Sequence, residues 1–206
     1  MALLSALEDQ VRVKLGLGSG DTTPTTDAMI NQWVVDGQNE VVSLVPNDAL
    51  LPLLVKVSLA NGGGNTGQTF PTDAVRIISV SFKESGGSVT SAQRVPPSVL
   101  DQVTDGNNSM FTTSEKYWAI KDGKIELSIA ALSESNSFEV QYIKSPQTTT
   151  GTECDLPNFL EPLVVDYASA QGKKQVEEYG DAQGIMADFY NRIGAISQRF
   201  ANLHSV

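Results

Sequence analysis

The sequence predicts an α+β fold: a helical bundle formed by N- and C-terminal helices, with an inserted, mostly antiparallel β-domain. Three observations lead there. Apolar residues recur at a 3.6-residue period at both ends of the chain, whereas the middle alternates at period two between turn residues. The terminal helices are also short, and neither pair can bury its apolar face without the other. The expected domains are residues 1–60 with 153–206 for the bundle and residues 61–152 for the β-domain.

The first helix is expected over residues 2–15, where Leu3, Leu4, Leu7, Val11 and Leu15 form a stripe that stops at Gly16. Thr26 or Asp27 caps a second, running through Ile30, Trp33, Val34, Val41, Val42 and Val45 to Pro46. Asp48 opens a third short apolar segment. Its tail, Val55 to Ala60, fits helix and strand equally well. Strands are then expected at Val75–Phe82, Tyr117–Ile120, Lys124–Ile129 and Phe138–Ile143, with a small helix or turn after Pro96-Pro97. Asp122-Gly123 marks a two-residue hairpin, because such turns need positive φ at their centre.

After a polar linker the helical period returns at Leu160, Leu163, Val164, Tyr167, Ala168 and Gln171, with Pro157 and Pro162 near the first turns. Gly180-Asp181 ends that helix and caps the next, whose stripe is Ile185, Phe189, Ile193, Ile196, Phe200 and Leu203. Glycines at 37, 172, 184 and 194 each cost about 1 kcal/mol relative to alanine inside a helix. Either helices approach closely there, as at Ala168 and Gly172, or the backbone of a neighbouring subunit comes near.

Composition narrows function. The 206 residues carry 14 Lys and Arg against 24 Asp and Glu, a net charge of −10. That balance disfavours gripping a phosphate backbone, whose affinity comes from counterions displaced by basic residues. A chain this long buries roughly 70% of its unfolded surface, which excludes disorder as the main state. The longest apolar run, Ala49–Val55, is broken by Pro52 and falls short of the roughly 18 to 20 residues a membrane span needs. The opening MALLSALEDQ lacks a basic n-region. A soluble protein made and kept in a cytoplasm is expected, with no membrane partner.

Arrangements that carry chemistry are thin. The run Gly62-Gly63-Gly64-Asn65-Thr66-Gly67 lacks the Lys-Ser or Lys-Thr of a phosphate loop and reads as a hairpin tip. Cys154 is the one cysteine and His204 the one histidine, too little for a soft-metal site. Glu153 and Asp155 would raise the pKa of Cys154, the wrong direction for a nucleophile. Glu153, Asp155, Glu161 and Asp166 lack calcium-loop spacing and read as helix-start acids favoured by the macrodipole. No catalytic residue, cofactor or metal ligand is expected. Trp33, Phe189 and Phe200 read as core, and of Tyr117 and Trp118 one must face in and one out. Lys173 with Glu177, Lys174 with Glu178, and Asp188 with Arg192 stand four apart, either pairing along solvated helix faces or set for contacts between subunits.

The segment LPNFLEPLVVDYASAQGKKQVEEYGDAQGIMADFYNRIGAI resembles the C-terminal helices of head-to-tail adaptor (connector) proteins of tailed bacteriophages. Leu156-Pro157, Tyr167-Ala168, Gly180-Asp181, Phe189-Tyr190 and Arg192 fill the roles of that family's Leu-Pro step, Ala/Tyr-rich helix, Gly-Asp break and long aromatic helix. Phe70-Pro71-Thr72-Asp73 before VRIISVSF, Tyr117 ahead of the Asp-Gly hairpin, and a strand ending YIKSP extend the resemblance over about residues 27–200.

The resemblance implies a virion structural protein in the neck, made in the host cytoplasm. It would form a homo-oligomeric ring, usually of twelve copies, between the portal protein and the tail or stopper protein below. DNA would pass through without sequence readout, and no catalysis is implied. It makes Phe200, Leu203, His204 and Val206 portal-interface candidates and Lys173, Lys174, Glu177, Glu178, Asp188 and Arg192 candidates for lateral contacts in the ring. A hexameric tail terminator, a hydrolase using carboxylates of the β-domain, and a non-viral β-rich binding module are the alternatives.

Overall fold

Helical periodicity at the N-terminus produces α1 (Leu4–Leu15) and α2 (Asp27–Leu44), followed by 3₁₀ turns over Asn47–Leu53. The computed structural model describes residues 2–18, 25–60, 68–83, 89–104, 116–128, 137–146, 148 and 153–203. Gly16 ends α1 at φ 69°, its amide and that of Leu17 returning to carbonyls of the last turn. The Thr26 side chain accepts from the Met29 amide at 3.3 Å and so caps α2. Towards the other end lie α4 (Glu161–Gln175) and α5 (Tyr179–Leu203).

The chain divides into a helical unit, Met1–Leu53 with Ser145–Val206, and a sheet unit, Leu54–Lys144. In the helical unit α4 is the centre: α1, α2 and α5 all pack on it. Its buried residues are Leu163, Val164, Val165, Asp166, Ala168, Ser169, Ala170 and Gly172, which surround the helix rather than form one stripe. Small side chains let three neighbours come close. A Cβ on Gly37 would stand 3.1 Å from the Val164 carbonyl oxygen, and one on Gly172 would stand 2.5 Å from the Leu15 side chain. At Gly184 and Gly194, on α5, a Cβ would meet nothing within 4 Å. Close helix approach therefore accounts for two of the four helix glycines and not for the other two.

Among the described residues the sheet unit has seven strands in the order β1-β7-β3-β4-β5-β6-β2: β1 (Leu54–Ala60), β2 (Gln68–Thr69), β3 (Ala74–Lys83), β4 (Val89–Arg94), β5 (Tyr117–Lys121), β6 (Lys124–Leu127) and β7 (Ser137–Lys144). Neighbours are antiparallel except β4 and β5. Residues 54–60, grouped above with the bundle, form an edge strand paired along its full length with β7. Alternation of Val55, Val57 and Leu59 decides for strand once β7 offers a partner.

Irregularities between Ala74 and Arg76 and between Ile77 and Ser79 interrupt the β3 register. Such bulges increase local twist. The inner face collects Val80, Phe82, Ala92, Trp118, Ile125, Leu127, Phe138, Val140 and Tyr142. Tyr117 and Trp118 are both buried: Trp118 faces this core, while Tyr117 and Ala119 pack with Val95 and Leu100, the last on α3 (Pro97–Thr104). The hairpin forms as expected, with Asp122 at φ 49° and Gly123 at φ 70°. The expected end of that hairpin at Ile129 and the run Gly62–Gly67 lie outside the described residues.

The glycine geometry yields opposite signs for similar substitutions. Gly194→Ala gains up to about 1 kcal/mol of helix propensity at no steric cost, whereas Gly37→Val forces the α2–α4 contact apart and loses about 2 kcal/mol. Thermal unfolding of the isolated chain checks this, each kcal/mol moving Tm by roughly 2–4 °C at this size.

Candidate interaction surface

Helix α5 is long and poorly buried. Over its 25 residues Ala182, Phe189 and Ile193 are the buried ones, all on the side that meets α4. Phe189 packs against Tyr167 of α4, ring centroids 5.8 Å apart, and edge-on against Tyr190. Its four charged residues, Asp181, Asp188, Arg192 and Arg199, are seven, four and seven apart and fall on one stripe. The acids lie in its first half and the arginines in its second, the order the macrodipole favours. The outermost face, along Gly180, Gly184, Ala187, Asn191, Gly194, Ala195, Gln198 and Asn202, is exposed and uncharged and carries mostly small residues.

The α4–α5 connection differs from the expected one. Helix α4 stops at Gln175, and Glu177 adopts φ 63°, a conformation costing a non-glycine residue about 1–2 kcal/mol. Amides of Val176, Glu177 and Glu178 return to carbonyls of Gly172, Lys174 and Lys173. This break removes the four-residue pairs read from the sequence. Lys173 instead bonds Glu178 and lies 4.0 Å from Asp181. The two acids, Glu178 first, raise the Lys173 pKa. Lys174 and Glu177 are exposed.

Arg192 does not pair with Asp188 along α5. It reaches across to Asp166 on α4, which also accepts a hydrogen bond from the Lys14 ammonium of α1. Asp166 is 8% exposed, while the side chains of Lys14 and Arg192 are about half exposed. A carboxylate this buried must be compensated, and the two cations compensate it while tying three helices together. Asp166 thus serves the interior of the bundle rather than the helix start. Glu161 does stand in the first turn of α4 and accepts from the Ala2 amide at 2.8 Å. Lys14, Asp166, Ile185, Asp188, Asn191, Arg192 and Ala195 line an open cleft of about 470 Å³.

Near its C-terminal end α5 carries Phe200 stacked on Phe159, centroids 6.3 Å apart, with Leu203 66% exposed. Phe159 is 48% exposed, so the pair forms an apolar patch rather than core. His204 and Val206 lie outside the described residues. Trp33 is half-buried on α2.

Cys154 is fully buried, its Sγ 3.5 Å from the Gln38 Oε1 to which it donates, and its amide donating to the Ala2 carbonyl. Burial chiefly, then the charges of Glu161 and Asp155, push its pKa up to about 11, against a hydrogen bond from the Leu156 backbone. The sequence identified Asp155 but named Glu153 where Glu161 acts, and it missed the larger effect of burial. Among the described residues no three His, Cys, Asp or Glu side chains group to hold a metal ion, and no helix is long and apolar enough to cross a membrane.

Lys14→Ala and Arg192→Ala should each cost about 1 kcal/mol or less, because the other cation still faces Asp166. The double variant should lose about 3 kcal/mol, more than the sum, since it leaves a buried carboxylate uncompensated. Urea unfolding of the four proteins measures the coupling. For Cys154, an unfolded thiol ionises near pH 8.5 and the folded one near 11. Between those values the unfolded chain releases a proton that the folded chain keeps, so stability falls as pH rises. The stability difference between wild type and Cys154→Ala should shrink from pH 9 to 11 and stay flat from 6 to 8.

No curated protein matches the chain. A family model described as SU10 adaptor protein matches residues 2–205. The bundle, the inserted sheet and the under-buried last helix all lie within that match, and the chain belongs to the SU10 adaptor protein family, as a phage adaptor protein.

Proposed function

We propose that the protein is a non-catalytic structural component of the virion neck that assembles into a ring, of twelve copies, between the portal and the tail or stopper protein. The match to an adaptor family over residues 2–205 carries this reading. The structure adds support in α5, which exposes most of its surface in a lone copy. Gly184 and Gly194 cost helix stability with no neighbour among the described residues to explain them. A neighbouring copy seated on the small, uncharged face would explain them.

Lateral contacts in this ring are proposed to use Lys174, Glu177 and Asp188, which are exposed. Lys173, Glu178 and Arg192 act there while also holding their own chain. The apolar end formed by Phe200 and Leu203, continued by His204 and Val206, is the proposed portal contact. A net charge of −10 suits a channel that passes DNA without retaining it, because carboxylates repel the phosphate backbone.

Native mass measurement of the chain mixed with its portal is expected to show twelve copies bound. A chain truncated after Gln198 should keep its helical content and unfolding midpoint within a few degrees yet fail to co-sediment with portal. Retained co-sedimentation would overturn the portal contact, and a six-copy complex on the tail tube would replace the adaptor position with a terminator.

A further inference from the structure

Strand β1 closes one end of the sheet order and, among the described residues, pairs with β7 alone. Its seven residues expose an edge about 23 Å long at the usual strand rise. The opposite edge is different, because β2 covers β6 with two residues. Long open edges invite pairing and are ordinarily guarded by charge, proline or bulges. Here β1 contains no proline and its register with β7 is unbroken. Its one charge, Lys56, is drawn to Glu139 of β7 at 2.6 Å.

A second observation concerns the side chains. Val55, Val57 and Leu59 pack against the inner core but stay half-buried. Leu54, Lys56 and Ser58, on the other face, are exposed. Among the described residues, the edge therefore offers backbone without a strand partner and an unfinished apolar row together, a template for a strand of the same alternation.

We infer that this edge docks the β1 edge of a second copy, antiparallel and centred on Val57. In that register Val57 meets its own counterpart, and Val55 of each copy meets Leu59 of the other, so both apolar rows are completed. On the opposite face Lys56 of each copy stands across from Ser58 of the other, and no like charges face each other directly. Self-complementarity about Val57 selects a second copy over an unrelated extended peptide. Such a contact is two-fold and closes on two copies, so it is distinct from the lateral contact of a ring and belongs to the free protein.

The test uses the full-length chain without portal, which separates its outcome from that of the adaptor reading. Sedimentation and native mass should show a monomer–dimer equilibrium at micromolar concentration. Ser58→Lys places two like-charge pairs across the two-fold and should weaken the dimer about tenfold or more. The introduced lysine lies opposite Glu139 within its own sheet, so the fold is spared. Combining it with Lys56→Glu restores opposite charges across the two-fold and should restore dimerisation. Val57→Cys should form an intermolecular disulfide, since paired strands bring these Cα atoms within disulfide range, while the buried Cys154 does not compete. A chain that stays monomeric, a dimer indifferent to Ser58→Lys, or a Val57→Cys chain that fails to cross-link overturns the inference. Ser58→Lys weakening capture of a tail protein by a monomeric chain would assign the edge to that protein instead.

Discussion

The packing of three helices onto α4 is the constraint on which the helical unit depends. A helix buried around most of its circumference cannot carry large side chains everywhere, because neighbouring axes must lie about 8–10 Å away. The run Ala168-Ser169-Ala170 and Gly172 meets that condition, and Gly37 meets it from the facing side on α2. The N-terminus is drawn in by the same centre. Ala2 bonds Glu161 through its amide and Cys154 through its carbonyl, and Leu3 bridges Glu153, so the first residues line the approach to α4. Chain ends 150 residues apart thereby share one core.

Such a centre has an electrostatic consequence. Asp166 is the one charged residue among the buried residues of α4, and its compensation comes from outside that helix. Lys14 and Arg192 both keep about half their side-chain surface in water, so neither pays full desolvation. An apolar residue at 166 would pack as well or better in energy terms. What the carboxylate adds is direction: it fixes how α1 and α5 sit against α4, which the small side chains around it leave loosely specified.

Periodicity carried most of the fold. Period located α1, α2 and α5, the stop at Gly16 and the cap at Thr26 held, and Asp122-Gly123 located the hairpin, because these signals are local; Gly180-Asp181, read as a stop and a cap, instead lies inside the first turn of α5. Three features were not legible, each for a physical reason. The all-round burial of α4 hides in alanine, serine and glycine, which periodicity scores as weak. Strand β4, VTSAQR, has little β-propensity of its own and exists because β3 holds Val89–Ala92 and β5 holds Gln93 and Arg94. The Lys14–Asp166–Arg192 cluster joins residues far apart in the chain, and four-residue spacing pointed Arg192 to Asp188 instead. At the candidate surface, spacing found the apolar stripe of α5 and its glycines, but not that the glycines lie on the exposed side.

That last point bears on how a lone copy and an assembled one differ. A 25-residue helix extends about 37 Å, and α4, at 15 residues, can match little more than half of it. Beyond α4 the helix is held by Phe200 on Phe159 and by its own backbone hydrogen bonds, so its last turns belong to the least protected part of the bundle. Alanine at 184 and 194 would stiffen it, yet the sequence retains glycine. Under the proposed ring, the free chain's lower helix stability is offset when a neighbour's backbone reaches van der Waals contact along the uncharged face, an approach that side chains at those positions would hold off.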